Sequence, residues 1–239
     1  MAVPRRSLAE VQELISSAHE DNTVAEKLQF YDCWALEYEH DVEVLEYRAP
    51  RLAAECLASA FPADRDSQII LDVACGTGLV AVELYRHGFR IFHGMDGSEQ
   101  MLQHARQKKL YQELKQSILG QEPLAAPTDL YDAVIIVGAM SCGQVPLSVI
   151  PELCRVTKPG GFLCLTTRSN TSNLQYKSEL QARLQELEGE GWWERVRVLE
   201  VEDWEKATSE QEASPGSEYI SGLVYLYRKK VASPPCTAR

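Results

Sequence analysis

The sequence predicts a doubly wound α/β fold. Its sheet is mostly parallel and seven-stranded, with an N-terminal helical cap and a C-terminal antiparallel hairpin. Three observations lead there. Runs that are apolar on both faces, such as Ser67–Ala74 and Tyr131–Val137, alternate with helical segments, as buried parallel strands and their crossovers do. A glycine-bearing turn, Cys75-Gly-Thr-Gly78, follows the first of these strands and opens a helix. After Thr167 the alternation stops. The last two strands have no long helix between them, so they pair antiparallel.

The elements follow in order. Residues 7–20 space Leu8, Val11, Leu14, Ile15 and Ala18 at helical intervals, and Val24–Ala35 does the same with Leu28, Tyr31 and Trp34. Residues 47–61 read as a further helix, with Leu52, Cys56, Leu57 and Ala60 on one face. Leu79–His87 is a helix closed by Gly88, a suitable residue just past a helix end. Arg90–Met95 is the second strand, and a helix capped by Ser98 runs to about Lys108. Lys115–Leu119 is a weak third strand and Tyr131–Val137 a strong fourth. Ile150–Thr157 is helical, Lys158-Pro-Gly-Gly161 is a turn, and Phe162–Thr167 is the fifth strand. Ser172–Glu188 is amphipathic, and Val196–Val201 and Ser217–Tyr227 form the hairpin. The acidic stretch Glu202–Gly216 reads as a solvated loop and residues 228–239 as a disordered basic tail. The expected organisation is one domain over 1–239: a cap at 1–62, a Rossmann-like core at 63–227 and the tail.

Composition bounds the function. The 239 residues are 45% hydrophobic and 25% charged, as in ordinary soluble globular proteins. The formal net charge of −11 makes phosphate backbones poor partners. Seven cysteines without a C-x-x-C pair read as reduced core thiols. The N-terminus lacks the apolar core of a signal peptide, and no window approaches a membrane span. Cytoplasm, with access to the nucleus, is the expected location, and a monomer the expected state. The five histidines show no metal spacing, so no metal is expected.

The chemistry gathers at Ile70-Leu-Asp-Val-Ala-Cys-Gly-Thr-Gly78. Glycines 76 and 78 admit a ligand close to the backbone, and the next helix offers free N–H groups. Asp96 ends the second strand, where an acid holds ribose hydroxyls. It also reads as a helix-capping acid. A dinucleotide fingerprint fits Gly76-x-Gly78-x-x-Ala81. Against it, Asp72 would face a pyrophosphate, whereas it suits a cofactor with an amino group and a sulfonium.

Asp72-x-Ala74-x-Gly76-x-Gly78, Asp96, Pro159-Gly160-Gly161 and the terminal hairpin together resemble the class I S-adenosylmethionine-dependent methyltransferases. Phe30-Tyr-Asp-x-Trp-Ala35, the stretch 72–80 and Thr157-Lys-Pro-Gly-Gly161 narrow the resemblance to the methyltransferase-like branch associated with the Williams–Beuren syndrome chromosomal region. The resemblance implies S-adenosylmethionine as cofactor. Asp72 and the backbone of Ala74, Gly76, Thr77 and Gly78 would hold its methionine end, with Asp96 and Gly97 at the ribose and Met101 on the adenine. The family often reads the adenine amino group with an Asp beside a small residue. Here Gly120-Gln121-Glu122 stands instead, leaving Gln121 and Glu122 as alternatives. Val137 would floor the sulfonium.

Tyr31 and Tyr38, seven residues apart on the leading helix, either stack over the cofactor or merely pack the cap. No catalytic base stands out, and methyl transfer needs chiefly positioning and a dry cavity. After strand four the chain reads Gly138-Ala-Met-Ser-Cys142, not the motif of nucleic-acid amino methylases, so a small-molecule or protein acceptor is expected. The acceptor cavity should lie between the leading helices, Met140–Pro146 and Arg168–Tyr176. Arg168 reads as a rim charge or a clamp for a carboxylate. Two other readings stay open: a silent cofactor-binding scaffold and an NAD-dependent oxidoreductase.

Overall fold

The computed structural model describes residues 5–18 and 23–231. Strands β1 (Ile69–Val73) and β4 (Tyr131–Ile136) show why continuous apolar runs become central strands. Ile70, Ala133 and Ile135 face one layer, while Leu71, Val73, Val134 and Ile136 face the other. With period-2 side chains, burial on both faces demands apolar residues at every position. The first layer packs on α4 (Ala49–Ala58) and α5 (Leu79–Arg86), the second on α7 (Ile150–Val156) and α8 (Leu174–Gly189).

The seven strands lie in the order β3-β2-β1-β4-β5-β7-β6, where β2 is Ile91–Asp96, β3 Tyr111–Gln116, β5 Thr157–Arg168, β6 Trp193–Lys206 and β7 Tyr219–Lys229. The first five are parallel, and β7 enters antiparallel between β5 and β6. This is the expected sheet with its reversed hairpin. The order reverses between β1 and β4, which opens a crevice at their carboxyl ends. Helix α6 (Glu99–Gln107) follows β2, capped as expected: the Ser98 hydroxyl accepts from Met101 N at 3.1 Å.

Four boundaries differ from the sequence reading. The third strand is Tyr111–Gln116, not Lys115–Leu119; at this sheet edge its anchors are Tyr111 and Leu114, too few for a clear apolar pattern. Lys158–Gly161 is a bulged part of β5 rather than a turn outside it. Strand β6 begins at Trp193 and ends at Lys206, so the first part of the acidic "loop" is strand. Residues 228 and 229 belong to β7, so the tail begins later than expected; residues 232–239, with Cys236, lie outside the described residues.

Ahead of the sheet, α1 (Leu8–Ala18), α2 (Val24–Trp34) and α3 (Tyr38–Val44) form a cap with its own apolar cluster of Val11, Ile15, Trp34 and Leu45. Residues 19–20 of the first predicted helix lie outside the described residues. The leading helix is two helices, not one: it breaks at 35–37, so Tyr31 is on α2 and Tyr38 on α3. Buried Asp41 bolts the cap together, accepting from Trp34 Nε1 at 2.7 Å and from Arg6 Nη1 at 2.5 Å. Among the described residues no helix is long and apolar enough to cross a membrane.

Candidate functional site

A cavity of about 1060 Å³, its open mouth included, occupies the crevice at the carboxyl ends of the parallel strands. The cradle turn forms its floor with Ala74 and Gly76. Both adopt positive φ, +54° each, which turns the backbone sharply out of β1. A Cβ on Gly76 would meet nothing within 4 Å, so open space lies over this turn. Asp96 joins the turn to α6: Oδ2 accepts from Gly76 N at 2.8 Å and Oδ1 from Ser98 N at 2.9 Å. Burial raises the Asp96 carboxyl, and these backbone donors oppose the rise.

Of the residues singled out in the sequence, Tyr31, Tyr38, Asp96, Gly97 and Met101 line the same cavity as Ala74 and Gly76. So do Gly120, Gln121 and Val137. Asp72, Thr77, Gly78 and Glu122 are not on its wall. Gly78 serves instead as the left-handed residue before α5, and Glu122 is exposed. Asp72 is buried at the end of β1, where its Oδ2 accepts from the Tyr111 hydroxyl at 2.7 Å. Burial lifts its carboxyl to about 7 against the Tyr111 hydrogen bond. Asp72 Oδ1 and Thr77 Oγ1 are buried without a hydrogen-bond partner, two unsatisfied polar atoms flanking the cradle turn.

Helix α2 closes the opposite side. Thr23 and Glu26 form a capping box at its start. Its Asp32 accepts from Ser98 Oγ at 2.6 Å, and Lys27 donates to the carbonyl of Gly143. The Tyr31 hydroxyl points to Gln144 Oε1 at 3.4 Å. Glycines at two strand ends permit this close cover. A Cβ on Gly97 would come within 2.5 Å of Leu28 Cδ2, and one on Gly138 within 2.3 Å of the Tyr47 hydroxyl. Sequence reasoning missed Leu28 and Tyr47. Neither sits in a motif; Leu28 reaches this cavity and Tyr47 a neighbouring one only because the cap folds back, whereas Gln144 lies within the 140–146 stretch expected at the acceptor cavity.

A second cavity, about 680 Å³ with its open mouth included, adjoins the first and shares Tyr31, Tyr38, Gly138 and Gln144 with it. It lies where the acceptor cavity was expected, between the cap, Met140, Ser141 and Arg168. Its far wall was not foreseen: Trp204 and Glu205 come from β6, in the stretch read as solvated loop. The signal was Trp204 itself, an aromatic that an exposed acidic loop would not bury. Among the described residues no cluster of three or more potential metal ligands occurs.

A methyltransferase-domain family profile matches residues 70–161, which span the cradle turn, Asp96 and Gly160-Gly161. The human methyltransferase-like protein 27 is 57% identical over 196 residues, covering 82% of this chain and 80% of that one. The ubiquinone biosynthesis O-methyltransferase of Alkalilimnicola ehrlichii is 28% identical over 78% of this chain and 72% of its own length. Among solved structures, a chain of the complex between the Haloferax volcanii Trm112 methyltransferase activator and its methyltransferase superposes with a TM-score of 0.61. It is 17% identical, over 84% of this chain and 98% of that one, a likeness of fold. With the reversed hairpin, the cradle turn and this relatedness in agreement, the chain belongs to the S-adenosylmethionine-dependent methyltransferases.

Proposed function

We propose that this methyltransferase binds S-adenosylmethionine in the 1060 Å³ cavity and methylates a small-molecule acceptor held in the adjoining one. The observation that carries this reading is the shared wall at Tyr31, Tyr38, Gly138 and Gln144, which leaves two ligands meeting at one boundary. Ala74 and Gly76 present the cradle-turn backbone to the ligand's polar end, and the unsatisfied Asp72 Oδ1 and Thr77 Oγ1 stand buried directly behind that turn, where they favour positive charge in front of it. The cofactor supplies an electrophilic methyl group on a sulfonium. The protein supplies the rest. Asp96 takes the ribose hydroxyls, Met101 packs on the adenine, and the exposed Gln121 at the cavity rim reads its edge in preference to Glu122, which stands off the wall. Tyr31 and Tyr38 turn electron-rich rings toward the sulfonium and exclude water from it. Burial pushes the Tyr31 hydroxyl up to about 12, so it stays a neutral donor at physiological pH.

The six described cysteines are free thiols, which supports a reducing compartment, the cytoplasm with access to the nucleus. Calorimetry tests the reading: the chain should bind S-adenosylmethionine and S-adenosylhomocysteine and show no heat with NAD. Tight binding of NAD alone would overturn it. Asp72 beside a pyrophosphate is the physical reason to expect exclusion.

The cap should respond to cofactor. Helix α2 is tied to the core through donors on Lys27 and Tyr31 and the acceptor Asp32, while Gln12, Glu39 and Leu45 tie the rest of the cap, so α2 is the part that opens at small cost without ligand. Hydrogen exchange over residues 25–45 should slow markedly on adding S-adenosylhomocysteine, more than in residues 69–73 or 133–137. Equal protection with and without ligand would show that Tyr31 and Tyr38 only pack the cap.

A further inference from the structure

We propose that the second cavity selects an aryl-alkyl amine, whose ring is held by the cap and β6 aromatics and whose ammonium pairs with Glu205. The inference rests on the reading above and names the acceptor class for it. Five aromatic side chains line this space: Tyr31 and Trp34 from α2, Tyr38 from α3, Tyr47 after it, and Trp204 from β6. Three of them pack on one another, part edge-on and part stacked, and form an aromatic wall on the cap side. Trp34 meets Tyr38 edge-on at 4.9 Å between ring centres and lies face to face with Tyr31 at 6.0 Å. Trp34 is held in place by its bond to Asp41, and Tyr47 by contact with Gly138 at the cofactor side. A cavity lined by aromatic rings prefers a flat apolar body, and electron-rich ring faces prefer a cation beside them.

Glu205 supplies the charge that chooses the ligand's polar end. Its neighbour Trp204 is buried, which holds this part of β6 in the sheet at the cavity wall. Burial raises the Glu205 carboxyl, and Arg168 from β5 offsets only part of that rise. The tyrosines facing it from the cap, Tyr31, Tyr38 and Tyr47, are all raised by burial themselves and stay neutral. A half-buried carboxylate on the cavity wall is stabilised by a cation placed against it, and a charge-assisted N–H···O bond from the ligand provides one. An amine nitrogen anchored there lies in the space that ends at Gly138 and Gln144, the boundary with the cofactor cavity. For transfer the ammonium gives one proton to the Glu205 carboxylate, and the freed nitrogen lone pair forms the N–C bond as the methyl–sulfur bond breaks, which leaves S-adenosylhomocysteine and an N-methylammonium.

Matched probes test the assignment. The full chain, saturated with S-adenosylhomocysteine, is titrated with tryptamine and with indole-3-propionate, which differ in the charge of one arm. Tryptamine should bind the wild type at least about tenfold more tightly than the propionate, a preference reduced to within about threefold in Glu205→Gln and retained in Glu205→Asp. Normal S-adenosylhomocysteine binding by Glu205→Gln establishes that this variant is folded. A wild type that takes S-adenosylhomocysteine but favours the propionate, treats both alike or binds neither overturns the amine assignment alone. That result would leave the cofactor reading standing. Failure to bind S-adenosylhomocysteine at all would remove both.

Discussion

Asp96→Ala is expected to weaken S-adenosylmethionine binding by roughly tenfold to 150-fold, the range of about 1.5–3 kcal/mol for hydrogen bonds to a charged group. Two losses act in the same direction. The ribose hydroxyls lose their acceptor, and the cradle turn loses the bond from Gly76 N that fixes it to the end of β2. Ser98 N loses its partner as well, at the start of the helix that carries Met101. The sheet should survive, because Asp96 sits at a strand end and its side chain joins no core cluster. Asp96→Asn keeps the shape and one acceptor oxygen, so it should fall between wild type and alanine. Calorimetric titration of folded variants checks this. Unchanged affinity in a folded Asp96→Ala would leave the residue as a structural brace only.

The second large effect is on stability against pH, and it comes from Asp72. In the folded protein its carboxyl titrates near 7, against a reference of 3.8. Between those values the folded state binds the proton and the unfolded chain releases it, so stability falls as pH rises from about 4 to 7 and is level above. At 1.36 kcal/mol per unit, a shift of this size corresponds to about 4 kcal/mol across the window. Asp72→Asn should remove that slope, so the gap between variant and wild type in urea unfolding should swing toward the variant from pH 5 to pH 8. Parallel pH profiles for the two proteins would rule it out. Ligand adds a second readout. If an ammonium settles against Asp72 Oδ1, binding of S-adenosylhomocysteine at pH 6 should release a proton. Calorimetry in buffers of different ionisation enthalpy detects it.

The sequence alone determined the sheet and the cradle. The mostly apolar runs at 69–73 and 131–136, each broken by a single aspartate, carry apolar residues on both faces, so they become central strands wherever the rest of the chain goes. The glycines at 76 and 78 and the acid at 96 are local in the same way: backbone conformation and strand ends place them, and both can be read from neighbouring residues. Only the tertiary structure decided what covers the cradle. Leu28 and Tyr47 reach the two cavities because the cap folds across the strand ends at two glycines, and no periodicity encodes the contact of Leu28 with Gly97 or of Tyr47 with Gly138. The same holds for Glu205. In sequence it lies in an acidic stretch that reads as solvated. In the fold, β7 enters between β5 and β6, and after a break at 202–204 the pairing resumes with Glu205 opposite Ile220, which carries that residue to the cavity wall: strand pairing and the burial of Trp204 outweigh the polarity of the segment.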